Sequence, residues 1–167
     1  MLSAEELQKI LKLQPLPVEG GYFAVTYRSD ITLARQSLPS GYSGERALAT
    51  AIYYLLTPDS FSAMHRLRGD EVYHFYLGDP VKMLMLKPDG TGESLLIGQD
   101  VAEGMCLQHV VPGGVWQGSH LAAGGKFALL GTTMSPGFDP ADFDMGKRDE
   151  LSVRYPDHSA LITLLTR

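Results

Sequence analysis

Between Gly20 and Thr133 the chain breaks into eight short runs rich in β-branched and aromatic residues, with no long helical pattern between them. They are Tyr22 to Tyr27, Ala47 to Leu56, Val72 to Leu77, Val81 to Leu86, Ser94 to Ile97, Met105 to Val111, Val115 to Leu121 and Phe127 to Thr133. Turn-forming pieces such as Gly78-Asp79-Pro80 and Pro88-Asp89-Gly90 punctuate them. Short strands closed by tight turns assemble as an antiparallel sandwich or barrel, whereas a parallel sheet needs a crossover helix between strands. The expectation is therefore an all-β fold.

The flanks read differently. Ser3 with Glu6 forms a capping box, and Leu2 and Leu7 are placed as a hydrophobic staple, so a helix should begin at residue 4. Leu7, Ile10 and Leu11 supply its apolar stripe, and Pro15 and Pro17 end it. Beyond Gly137, Asp139-Pro140-Ala141-Asp142 reads as a cap with proline at the first helical position, and Pro156 to Leu165 as a last turn or two. With 167 residues, 44% hydrophobic and 20% charged, the chain fits one domain with one core. Its expected parts are a helix and lead-in over 1–19, a barrel over 20–135 and an extension over 136–167.

Several function classes are disfavoured. The net charge is −5 and no basic cluster is interleaved with aromatics, which argues against nucleic acid. The longest apolar stretch, Ala47 to Leu56, falls far short of the roughly 20 residues that span a bilayer. The N-terminus has neither a basic region nor an apolar run, so the expected location is the cytoplasm. Cys106 has no partner for an internal disulfide and reads as a buried structural thiol. Gly90-Thr91-Gly92 lacks the third glycine of a dinucleotide loop, and Gly124-Gly125-Lys126-Phe127 lacks the hydroxyl of a phosphate loop.

The stretch with chemical content is Ser62 to Gly78. Read as strand, turn and strand, it brings His65 and Glu71 to one face only if the loop has odd length. A three-residue loop, Arg68-Gly69-Asp70, would pair Leu67 with Glu71 and put His65, Leu67, Glu71, Tyr73 and Phe75 on one face. Asp70, Val72, His74 and Tyr76 then point the other way. An imidazole and a carboxylate among aromatic and apolar groups are the makings of a small-molecule pocket.

These residues carry a resemblance. His65, Leu67, Glu71 and Gly78 fall in the spacing of the first cupin motif, and Pro112-Gly113-Gly114-Val115-Trp116-Gln117 resembles the second. Leu67 and Gln117 stand where the family places histidines. More narrowly, the chain resembles the uncharacterised cupin 5 family, through Glu19-Gly20-Gly21-Tyr22, Thr26-Tyr27-Arg28-Ser29, Ile52 to Leu56, His74-Phe75-Tyr76 and Ser135-Pro136-Gly137-Phe138-Asp139. The resemblance implies a double-stranded β-helix, the cupin jelly-roll barrel, forming a homodimer similar in shape to the nucleotide-sugar epimerases of the rhamnose pathway. It implies no known reaction.

Cupins that hold a divalent metal usually supply three His and a Glu; here the matching positions offer His65, Glu71 and Gln117, and Leu67 offers nothing. Amide oxygen is a poor ligand for zinc, iron or copper, so no resident cofactor is expected, with a weak divalent site completed by water as the lesser alternative. The favoured function is binding of a sugar-like or other small metabolite in an interior pocket, with Phe75, Gln117, Trp116, Tyr53 and Leu67 as lining. The alternative is a metal-independent isomerase or epimerase. There His65 acts as general base, Glu71 fixes its tautomer or stabilises the imidazolium, and Tyr73 donates a proton. A metal-dependent enzyme such as a dioxygenase comes third.

Overall fold

The computed structural model describes residues 2–167. Its strands, in chain order, are β1 (Gln14–Pro15), β2 (Tyr22–Arg28), β3 (Thr32–Leu33), β4 (Arg46–Ala47), β5 (Thr50–Leu56) and β6 (Phe61–Leu67). They continue with β7 (Glu71–Gly78), β8 (Val81–Leu86), β9 (Gly92–Ile97), β10 (Gln108–Val111), β11 (Trp116–Leu121), β12 (Ala128–Met134) and β13 (Phe143–Met145). The order β1-β2-β5-β12-β7-β10 makes a six-stranded antiparallel sheet, and β13-β6-β11-β8-β9 a five-stranded one. From β5 to β8 the chain changes sheet at every step, and again from β9 to β12. This is the antiparallel sandwich that the short-strand pattern implies, wound as the jelly roll that the cupin resemblance implies.

One local expectation fails. β6 and β7 do not form a hairpin: β6 pairs with β11 and β13, whereas β7 pairs with β10 and β12. Arg68-Gly69-Asp70 is a corner that carries the chain from one sheet to the other, so Leu67 is not opposite Glu71. Facing sheets lie about 10 Å apart, a gap that three linking residues can cross as readily as they close a loop. The corner is tied to the turn between β10 and β11, where Gly113 N donates to Asp70 at 2.8 Å and Gly114 N donates to the Leu67 carbonyl at 2.8 Å. Gly113 is needed there, because a Cβ would lie 2.2 Å from the Arg68 carbonyl oxygen.

Alternation sends side chains to three cores. Tyr54, Tyr73, Phe75, Met83, Met85 and Leu130 fill the space between the sheets. The outer face of the five-stranded sheet, with Met64, Leu84 and Leu86, is covered by Leu151 of α2 (Arg148–Arg154), Ile162 of α3 (Ser159–Leu164) and Tyr155 between them. The outer face of the six-stranded sheet packs Leu55, Phe127 and Leu129 beneath Leu7 of the N-terminal helix α1 (Ala4–Ile10) and Leu13. β6 bulges where Ala63 and Met64 stand across from Gly118. The extra residue shifts the alternation, so that Ser62 turns inward beside Glu19 while Phe61 joins the outer cluster.

The capping box of α1 is present, Glu6 N donating to Ser3 Oγ at 3.2 Å and Ser3 N to Glu6 at 2.8 Å. The helix stops at Ile10, before the prolines, and Ile10 and Leu2 are exposed; two helical turns offer the sheet only one face, which Leu7 occupies. Asp139 caps its turn as expected, accepting from Ala141 N at 2.9 Å. The extension carries short helices as expected, β13 lies in it without having been expected, and Cys106 is half-buried rather than enclosed. The lead-in and the extension each add an edge strand to a sheet, β1 and β13. Among the described residues, no helix is long and apolar enough to cross a membrane.

Candidate functional site

Near the corner at residues 68–70 the sheets leave a cavity of about 170 Å³. Its wall is largely apolar, with Leu16, Phe23, Ile52, Leu67, Met134 and Phe138, and its polar members are Glu19, Arg28, Thr50, Glu71 and Thr132. Glu71 and Thr132 are buried, whereas Arg28 is exposed and Phe138 half-exposed, so the wall runs from a dry inner end to a charged lip.

Glu71, the first residue of β7, is the buried ionisable group of that wall. Its position between Val111 of β10 and Met134 of β12 turns the carboxyl inward. There Gln117 Nε2 donates to Glu71 at 2.8 Å. Burial raises the Glu71 carboxyl above its ordinary range, and His65 nearby offsets part of the rise. Gln117 is buried with its other amide atom, Oε1, lacking any partner, and the Ser119 hydroxyl two residues on is equally orphaned. Buried polar atoms are almost always hydrogen-bonded, so Oε1, which stands behind the cavity wall, is an exception at the inner end of the site.

Glu19 reaches the same cavity from the lead-in and accepts from Ser62 Oγ at 2.8 Å. Its loop can press against β6 because Gly20, at φ +108°, has no side chain: a Cβ there would sit 2.3 Å from the Phe61 carbonyl oxygen. The Glu19 carbonyl then accepts from Ala63 N at 2.9 Å, and Arg167 reaches back to the Val18 and Glu19 carbonyls. Arg28 is the last residue of β2, opposite Thr50, whose hydroxyl also accepts from Phe138 N at 2.9 Å. Glu19 and Arg28 were not among the expected site residues. Both lie in strings that carry the cupin 5 resemblance, Glu19-Gly20-Gly21-Tyr22 and Thr26-Tyr27-Arg28-Ser29, which was the available signal for each.

Of the residues expected at the site, Glu71 and Leu67 line the cavity. His65, Gln117, Tyr73 and Phe75 are buried but stand behind the wall. His65 makes no ion pair with Glu71. Its Nδ1 donates to the Ala63 carbonyl at 2.8 Å, and its ring stacks on Phe143 at 5.1 Å between centroids. The tautomer is thus set by a backbone carbonyl rather than by Glu71, leaving Nε2 as the free acceptor. Tyr73 and Phe75 belong to the inner core, and burial holds the Tyr73 hydroxyl well above its ordinary range, the Glu71 carboxyl adding to the rise. Trp116 and Tyr53 face outward, contrary to the expected lining. Trp116 lies under the Arg66 guanidinium at 4.6 Å, and Tyr53 meets Tyr76 edge-on at 5.9 Å. Each adjoins an inward residue, Gln117 or Tyr54, and a strand cannot turn both neighbours to one face.

Residues 5–146 match the family model described as Cupin superfamily (DUF985). The chain is 36% identical over 142 residues to an uncharacterized protein of Saccharomyces cerevisiae, covering 80% of this chain and 71% of that one. It is similar to a hypothetical protein from Leishmania major, with 34% identity, a TM-score of 0.87 and 99% of both chains covered. A crystal structure of a Shewanella oneidensis protein gives 35% identity and a TM-score of 0.87, covering 100% of this chain and 99% of that one. Oxalate decarboxylase from Bacillus subtilis shares the fold at 12% identity and a TM-score of 0.53, over 92% of this chain and 37% of that one.

Proposed function

The chain belongs to the Cupin superfamily family DUF985, and from that premise we propose that it binds a small organic metabolite in the cavity between its sheets, acting in the cytoplasm as a homodimer without a resident metal. The observation that carries the reading is the cavity of about 170 Å³, largely apolar, with a buried carboxyl at its inner end and an arginine at its lip. An apolar cavity of roughly 150 Å³ accepts a benzene-sized guest, so a compact ring or a chain of a few carbons fits, and a nucleotide sugar does not.

The donor chemistry speaks against a transition metal. Gln117 turns its NH₂ to Glu71, Leu67 has no lone pair to offer, and His65 turns its Nδ1 to the Ala63 carbonyl rather than to Glu71. One imidazole and one carboxylate fall short of the three or four protein ligands such a metal takes.

The test is a thermal-shift screen of metabolites against the wild-type protein and Ile52→Trp, whose bulk would occupy the cavity. Ligands that stabilise the first and not the second support the reading. A ligand that stabilises both alike overturns it.

A metal-independent isomerase is the second reading, and the raised Glu71 carboxyl favours it. A carboxylic acid that holds its proton more tightly than usual serves as a proton donor, and as a base once ionised. The acid–base group is then Glu71, which lines the cavity, rather than His65. Solvent deuterium entering a bound ligand, and lost in Glu71→Gln while binding persists, would establish catalysis.

A further inference from the structure

From the lip of the cavity we infer the class of ligand: a small monocarboxylate with an apolar body, its carboxylate held by Arg28 and its far end carrying a hydroxyl or amine towards the Glu71 carboxyl. The inference rests on the proposed cavity function and adds a polarity to it. Two independent observations define the two ends.

At the outer end, Arg28 is the arginine without a task. Every other arginine donates to a carboxylate or a backbone carbonyl of the chain or, in the case of Arg68, forms an ion pair with Asp142. Among the described residues Arg28 has no such partner, and it is also the arginine that lines the cavity. Its position is fixed, because it closes β2 opposite Thr50, and Thr50 in turn holds the backbone of Phe138 on the same lip. A guanidinium presents a planar fork that fits a carboxylate with two parallel hydrogen bonds, and a partly desolvated lip strengthens that pairing.

At the inner end, the buried Glu71 carboxyl lines the cavity and accepts from Gln117 Nε2 behind the wall at 2.8 Å. A hydroxyl or amine on the ligand supplies it with a further donor. Between the ends lie Phe23, Ile52, Leu67 and Met134, which offer no polar atom to the middle of the ligand. The inner carboxyl also bears on orientation: an anionic group would be repelled from Glu71 and Glu19 and drawn to Arg28, so the ligand enters with its carboxylate last.

The experiment measures dissociation constants by calorimetry for two matched pairs, para-hydroxybenzoate against para-hydroxybenzyl alcohol and hexanoate against hexan-1-ol, with wild type and Arg28→Gln. The carboxylates should bind wild type at least about tenfold more tightly than the alcohols, and Arg28→Gln should erase that difference while leaving alcohol binding and the melting temperature of the free protein unchanged. Equal binding of acid and alcohol, or a preference that survives Arg28→Gln, overturns the assignment of Arg28 but leaves the cavity reading in place. If no member of either pair binds, the cavity reading falls and the ligand class falls with it.

Discussion

Replacing Gln117 by leucine removes two things at once, the donor to Glu71 and the orphaned Oε1, and pH decides which loss dominates. Burial raises the folded-state pKa of Glu71 above its ordinary value of 4.5, so the stability tied to this group is fully present below that value and is lost as pH rises through the folded pKa. The Gln117 amide lessens that loss by donating to the ionised form. Above the folded pKa, Gln117→Leu deletes a hydrogen bond to a buried charge, worth about 1.5–3 kcal/mol. For a chain of this size that is a fall in melting temperature of roughly 3–12 °C. At pH 4 the carboxyl is neutral, its need for a donor is smaller, and removing an unsatisfied buried carbonyl offsets what remains; the variant should match wild type within about 1 kcal/mol. Urea denaturation at pH 4 and pH 8, with Glu71→Gln as a background in which the pH dependence should vanish, measures the difference. Equal destabilisation at both pH values, or a dependence that survives in the Glu71→Gln background, would refute the account of Glu71 as a buried acid sustained by Gln117.

The remaining expectations concern the frame and the two positions where the cupin motifs place histidines. Arg46 and Asp142 form a buried bidentate pair at 2.7 and 2.8 Å that ties β4 to the turn before β13; Asp142→Ala, which strands the Arg46 guanidinium, should cost about 3–5 kcal/mol, while the double change Arg46→Met, Asp142→Leu should cost far less by urea denaturation. A cost for Asp142→Ala below about 1 kcal/mol would show the pair to be superfluous. Placing histidine at both Leu67 and Gln117 assembles three imidazoles and a carboxylate on one inner face; Zn²⁺ at about a hundred times its dissociation constant should then add roughly 2.7 kcal/mol, a shift the wild type should not show. Equal zinc stabilisation of wild type would overturn the metal-free reading.

The architecture was legible because turn residues and strand length are local properties. The eight expected runs all contain a strand, though Thr50 rather than Ala47 begins β5 and Gln108 rather than Met105 begins β10. What failed was relational. The hairpin at Arg68-Gly69-Asp70 failed because a loop and a corner of equal length look alike in sequence. The inward direction of His65 and Glu71 nevertheless survived, since both strands beside a corner face the same interior. Trp116 and Tyr53 were misplaced because aromatic character says nothing about phase along a strand. β13 was hidden in Phe143-Asp144-Met145, too short to show alternation. Arg28 stood out from the string Thr26-Tyr27-Arg28-Ser29 only once the partners of every other arginine were known.

The bulge in β6 gives that strand two phases, and its inheritance follows from this. From His65 to Leu67 one set of alternate positions faces inward, and on the far side of Ala63 and Met64 the other set does. Deleting either of those two residues would merge the phases, turning Phe61 into the barrel and Ser62 out under the C-terminal helices. Glu19 would lose its hydroxyl partner without any change to Glu19 itself. Related chains should therefore gain and lose residues freely at turns such as Pro88 to Gly90, while keeping the count between Ser62 and His65 fixed, whatever amino acids fill it.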